Sequence, residues 1–211
     1  MAISSRFGET SLTARRESGQ AARPSARAAC GRPLDWRPVR ARGDIPGAAG
    51  VRIEPWGEGD LPLLAEGLGD AEMTRHVGGP ESRERIAKRQ LDYQRPGSGQ
   101  FKVVEDAGGE GIGWVGYWER EWQGAQVYEV GWWVLPAFQG RGVAAAAAAQ
   151  LLAAARAEGR HRFVHAYPSV ENGPSNAICR KLGFTLLGDH EFEYPKGRFM
   201  RCNDWRLDLG G

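Results

Sequence analysis

The stretch WWVLPAFQGRGVAAAAAAQLL, residues 132–152, constrains the fold of this chain more than any other segment. An aromatic, apolar run breaks at Pro136, passes through Gly140-Arg141-Gly142 and enters a run of alanines. A strand, a glycine turn and a helix start, in that order, form a ready anion site. The first N–H groups of a helix have no intrahelical partner, and the helix dipole adds partial positive charge there. Gly140 and Gly142 remove side chains that would block close approach, and Arg141 adds a charged donor. A helix apolar on every side is a buried one, and alanine lets it sit close to a sheet.

Around this feature the periodicities alternate. Strands are expected at 51–56, 100–106, 112–119, 125–135 and 162–168, and a closing hairpin at 184–194 and 198–209 turns at Pro195-Lys196-Gly197. Helices are expected where Leu61, Leu64, Ala65 and Leu68 recur, over 80–94, after the glycine turn as far as Glu158-Gly159, and over 174–182. That order predicts a layered α+β domain with a mixed sheet and helices packed on it.

Residues 1–48 read differently. They are rich in Arg and Ala without apolar periodicity, which predicts a disordered tail ahead of a domain spanning 49–211. Residues 1–50 hold nine Arg, no Lys and four acids, a net +5, which leaves −3 of the total +2 for residues 51–211. The overall balance gives no argument for nucleic acid or an anionic membrane. No apolar run approaches the ~20 residues of a membrane helix. Cys30, Cys179 and Cys202 are too scattered for a disulfide framework, and the four His lack metal-ligand spacing, so the expectation is a cytoplasmic protein with free thiols and no metal.

The glycine loop has two readings. Gly140-x-Gly142-x-x-Ala145 meets a dinucleotide-binding pattern, but three strands precede it, Pro-Ala-Phe-Gln intervenes, and RFVHAYP ends without the acid that would hold a ribose. The second is Gln139-x-x-Gly142-x-Ala144 after an aromatic strand, followed downstream by NGPSNAICRKLGF. These two motifs, in this order, resemble those of the GNAT N-acyltransferase superfamily, over roughly residues 51–209. The segment DAEMTRHVGGP (70–80) is similar to one in its ribosomal-protein N-terminal acetyltransferase subgroup.

The resemblance implies a mixed, mostly antiparallel seven-stranded sheet splayed by a bulge at its fourth strand, with about four helices on its faces. It implies acetyl-CoA as cosubstrate and no metal. The backbone of Gln139, Gly140, Arg141, Gly142, Val143 and Ala144 would cradle the pyrophosphate. Trp133, Val134 and Leu135 would pair through their backbones with the pantetheine arm, and Asn172 and Ser175 would contact the coenzyme farther along. Asn172 also reads as a plain helix cap.

Acyl transfer to an amine needs a base, an oxyanion donor and a proton for the leaving thiolate. Glu129, alternating onto the face of Gly131 and Trp133, is the candidate base; its ordinary role would be pairing with a cation. The Val134 N–H is the candidate oxyanion donor. Cys179 occupies the position where many family members carry a Tyr acid, and its ordinary role would be a small buried residue. Ser175, Tyr167 or water are substitutes. The acceptor expected is a small-molecule amine or a protein N-terminus, with His76, Asp92, Asp189, Glu191, Tyr194 and Arg198 as candidates around it. The reading of another class is a coenzyme A-binding sensor without catalysis. Partners expected are neither nucleic acid nor membrane, and the chain is expected as a monomer or homodimer.

Overall fold

The computed structural model describes residues 50–194 and 196–210. The predicted tail 1–48 lies outside them, as does Pro195 of the closing turn. Seven strands form one sheet: β1 (Val51–Pro55), β2 (Gln100–Glu105), β3 (Gly111–Trp122), β4 (Ala125–Val134), β5 (Phe163–Ala166), β6 (Thr185–Glu193) and β7 (Phe199–Asp208). Their spatial order is β1-β2-β3-β4-β5-β7-β6. Only β4 and β5 run parallel; every other neighbouring pair is antiparallel.

The helices are α1 (Leu61–Gly69), α2 (Ala71–Thr74), α3 (Arg83–Tyr93), α4 (Val143–Glu158) and α5 (Gly173–Lys181). The four expected helices are present. The short α2 is a fifth, started by Asp70, whose carboxylate accepts from the Met73 N–H at 2.7 Å. β3 also runs past the expected end at Glu119 to Trp122. Gln123 (φ 51°) and Gly124 (φ 78°) then turn the chain in the left-handed region, the two-residue geometry that matches strand twist.

Two apolar layers follow from strand alternation. Tyr128, Val130, Trp132 and Val134 of β4 enter the main core with α4. Its alanines 145–148 are buried there beside Leu151 and Leu152. Gln150 fastens this helix to the edge strand β1, donating to Val51 O at 2.8 Å and accepting from Ile53 N at 3.3 Å. On the opposite face Trp114 and Trp133 join Trp56, Leu64, Leu68, Ile86 and Tyr93 under α1 and α3.

That second layer is tight enough to test. A Cβ at Gly67 of α1 would stand 2.7 Å from the Trp133 indole. Gly67→Ala adds helix propensity of about 0.5–1 kcal/mol, but overpacking costs about 1–3 kcal/mol. The expected result is a net loss of stability in urea melts. A raised midpoint would show that the indole yields freely.

Candidate active site

The sheet opens between β4 and β5. Their ladder holds only at Tyr128↔Val164 and Glu129↔His165. Beyond Ala166 the chain reaches Pro168, which has no N–H to donate. It follows β7 instead: Asn203 N donates to Pro168 O at 2.9 Å and Val170 N to Arg201 O at 3.0 Å. The expected splay is therefore present. The expected bulge is not its cause, because the β3–β4 register runs unshifted from Gly113↔Val134 to Trp122↔Ala125.

Register decides which backbone groups face the gap. Leu135 N donates to Ile112 O at 2.9 Å, so Gly113↔Val134 is a pair without mutual hydrogen bonds, and the alternation follows along β4. Trp132 and Val134 turn their N–H and C=O away from β3, into the gap. Trp133 spends its own on Trp114, and Leu135 spends its N–H on Ile112. This corrects the expectation that Trp133 and Leu135 offer backbone groups to a ligand; Trp132 takes their place. The Val134 C=O is met by Gln139 Nε2 at 2.8 Å, while its N–H faces the gap.

The gap leads to the glycine turn. Gly140 (φ 73°) and Gly142 (φ 77°) sit in the left-handed region, which favours glycine over residues with a Cβ. Gly142 starts α4 without a side-chain cap, and the first helical bond runs from Ala146 N to Gly142 O at 3.0 Å. The N–H groups of Val143, Ala144 and Ala145 thus lack helical partners at this end.

A cavity of about 440 Å³ joins these parts. Of the residues expected from the sequence, Trp133, Val134, Gln139, Gly140, Gly142, Val143, Ala144, Asn172 and Ser175 line it. Asn172 caps α5 as well, accepting from Ser175 N at 3.1 Å. Arg141 is turned aside, pairing with Glu105 at 3.2 Å with its guanidinium over the Phe138 ring. Leu135 is buried in the tryptophan layer.

Sequence reasoning missed Trp132, Phe138, Pro174, Ile178, the α2 residues Glu72 and Met73, and Arg75 just after α2 on the cavity wall. His76, expected near an acceptor, also lines it; burial, and then the Arg75 guanidinium, hold its imidazole below the usual histidine range. Asp92 and Asp189 instead form surface pairs with Arg95 and Arg201, and Glu191 is exposed. Tyr194 and Arg198 tie the β6–β7 hairpin to α3 and the segment before it, Arg198 donating to Gly78 O at 2.8 Å and Tyr194 meeting Arg89 of α3 and Glu81 at 3.4 Å.

Cys179 is not on the cavity wall. It is fully buried in the main core, and burial pushes its thiol up to about 12. Such a thiol is a weaker acid than an ordinary thiol near ~8.5, so proton transfer to a leaving thiolate would run uphill. Its place in the core makes it a packing residue, not the acid. Cys179→Ala should cost about 1 kcal/mol of stability and leave kcat unchanged, which urea melts and steady-state assays would measure.

Glu129 lies at the vertex of the splay, on the face away from α4, and is 2 % exposed. Arg120 Nη1 meets its Oε2 at 2.6 Å. Its ladder neighbour His165 places Nδ1 2.6 Å from Asp204 Oδ1, and Asp204 Oδ2 accepts from Trp122 Nε1 at 3.0 Å. His165 and Asp204 were missed because they stand on β5 and β7, far apart in the chain. Their only sequence signal was alternation, which sets His165 and Tyr167 on one face of RFVHAYP. Among the described residues no group of three or more His, Cys, Asp or Glu is placed to hold a metal ion, and no helix is long and apolar enough to cross a membrane.

Residues 51–185 match the family model described as acetyltransferase (GNAT) domain. The chain belongs to the GNAT acetyltransferase family. No curated protein matches the chain. Solved structures share the GNAT fold at low identity. A GNAT-family acetyltransferase from Bacillus anthracis is 20% identical, with a TM-score of 0.66 over 78% of this chain and 98% of that one. A ribosomal L7/L12 alpha-N-protein acetyltransferase in complex with coenzyme A is 21% identical, with a TM-score of 0.63 over 78% of this chain and 97% of its own. A ribosomal-protein-alanine N-acetyltransferase from Brucella melitensis is 23% identical, with a TM-score of 0.60 over 74% of this chain and 98% of its own.

Proposed function

We propose that this GNAT domain transfers an acetyl group from acetyl-CoA to a primary amine by direct attack in a ternary complex. The observation that carries the reading is the open β4–β5 gap. It presents the Val134 N–H at one point, runs onto the uncapped N-terminus of α4, and has Glu129 at its vertex. The relative that holds coenzyme A shares this fold.

The residues present fit such a cosubstrate. The N–H groups from Gly140 to Ala144 take the pyrophosphate, and the outward backbone groups of Trp132 and Val134 take the amide-bearing arm. Gln139 would release the Val134 carbonyl as that arm arrives. When bound, acetyl-CoA supplies the activated acetyl group. The Val134 N–H, fixed by β3 pairing on either side, meets the negative charge that develops on the carbonyl oxygen. Glu129 takes the proton of the attacking amine. No side chain on the cavity wall is assigned as acid, and the leaving thiolate takes its proton from solvent.

The test is incubation with acetyl-CoA and a broad panel of primary amines, including N-terminal peptides, with free thiol release and product mass as readouts. Thiol release matched by an N-acetylated product is the expected result. Coenzyme binding without turnover on any amine would favour a sensor role, and absence of coenzyme binding would overturn the reading.

A further inference from the structure

Four tryptophans of the domain give their indole N–H to a side-chain oxygen. Trp56 donates to Gln90 Oε1 at 2.8 Å, Trp114 to Gln100 Oε1 at 2.9 Å, Trp122 to Asp204 Oδ2 at 3.0 Å and Trp205 to Asn176 Oδ1 at 2.8 Å. Trp132 and Trp133 do not. They are 2 % and 3 % exposed, and the Nε1 of each is buried without a hydrogen-bond partner in the protein. These same two tryptophans line the cavity of about 440 Å³.

A buried indole N–H normally finds an acceptor, because one without acceptor or water loses the hydrogen bond it had in the unfolded chain. Elsewhere the fold sets a Gln, Asn or Asp against the indole; at the cavity it leaves the acceptor to come from outside. Strand alternation puts the two donors on opposite faces of the sheet, Trp132 in the main core with α4 and Trp133 in the layer under α1 and α3. A ligand that meets both must cross the sheet, and the β4–β5 gap is the place to cross. Only two ladder pairs pin that gap, so a slender ligand parts it far enough to bring an oxygen to each N–H. An indole only donates and carries no charge, so the matching groups are neutral oxygens such as amide carbonyls.

We propose that the Trp132 and Trp133 indoles each donate to one of the two amide carbonyls of the pantetheine arm, Trp132 from the α4 side of the sheet and Trp133 from the α1 side. This rests on the acetyl-CoA reading above. The outward backbone groups of Trp132 and Val134 meet the arm within the plane of the sheet, and the indoles meet it from either face. A carbonyl oxygen has two lone pairs, so one amide takes a backbone donor and an indole donor together. Because the pyrophosphate sits at the start of α4, the amide nearer the phosphate falls to Trp132 and the one nearer the sulfur to Trp133. The nucleotide takes part in neither bond.

The test is proton–nitrogen correlation spectroscopy of the full chain, with the two indole signals assigned through Trp132→Phe and Trp133→Phe. Saturating coenzyme A should move both signals downfield, since a hydrogen bond deshields the proton it holds. ADP, which carries a pyrophosphate without the arm, should move neither. Calorimetry should show the Kd for coenzyme A raised about five- to tenfold in each variant, the loss of one hydrogen bond, while phenylalanine keeps an aromatic ring in the packing. A merely structural tryptophan would alter Kd in the variants with no downfield movement in the parent protein. Signals that stay in place on coenzyme A, or move equally with ADP, overturn the proposal, as does an unchanged coenzyme affinity in both variants. Failure of the parent protein to bind coenzyme A sinks the acetyl-CoA reading itself. Binding with unmoved indole signals overturns the indole assignment alone.

Discussion

Glu129→Gln is expected to lower kcat for acetyl transfer by about a hundredfold while leaving coenzyme affinity unchanged. The substitution keeps volume and a carbonyl oxygen for Arg120, but the amide cannot take a proton from an amine. Coenzyme affinity should persist because Glu129 does not line the cavity formed by the end of β4, the glycine turn, α2 with the residues after it, and parts of α4 and α5. Calorimetry with coenzyme A and steady-state rates on one acceptor measure the two quantities separately. A kcat within about threefold of the parent would remove Glu129 as base, since general base catalysis contributes more than that. A fall in coenzyme affinity would show instead that the Arg120 pair holds the splay open.

Asp204→Ala should cost about 3–5 kcal/mol of stability, the largest single loss expected in the domain. Asp204 is fully buried, and its two oxygens serve His165 Nδ1 and Trp122 Nε1, themselves on β5 and β3. Truncation removes the acceptor of the half-buried Trp122 N–H and the partner of the buried His165 ring, and leaves a cavity. Against a typical domain stability of about 5–15 kcal/mol this is a large fraction, readable as a shift of about 10 °C in melting midpoint. Asp204→Asn retains one acceptor oxygen and should lose markedly less. Equal losses in both would mean that charge, not hydrogen bonding, matters there, and a loss below about 1 kcal/mol in the alanine variant would show that the neighbours re-pair.

Both predictions concern residues that the sequence disclosed unequally. Glu129 was legible because one strand's alternation sets it opposite Tyr128 and Val130, and that pattern is local. The glycine turn was legible for the same kind of reason, as were the cap at Asn172 and the buried alanine face of α4. His165 and Asp204 were not, since their meeting depends on β7 being inserted between β5 and β6. Cys179 illustrates the reverse: a motif position marked it for chemistry, and the depth of the core around α5 removed it.

By itself the sequence determined the order of the strands, turns and four longer helices, and which side chains share a face, because those follow from periods of two and 3.6 and from the positive φ that glycine permits. The tertiary structure alone decided which peptide groups of β4 face the gap, and that Trp132 and Val134, not Trp133 and Leu135, offer them. Hydrogen-bond parity along a strand is set by the register with its neighbour. Register is a contact between distant segments, and no local residue pattern encodes it to the single residue on which this site depends.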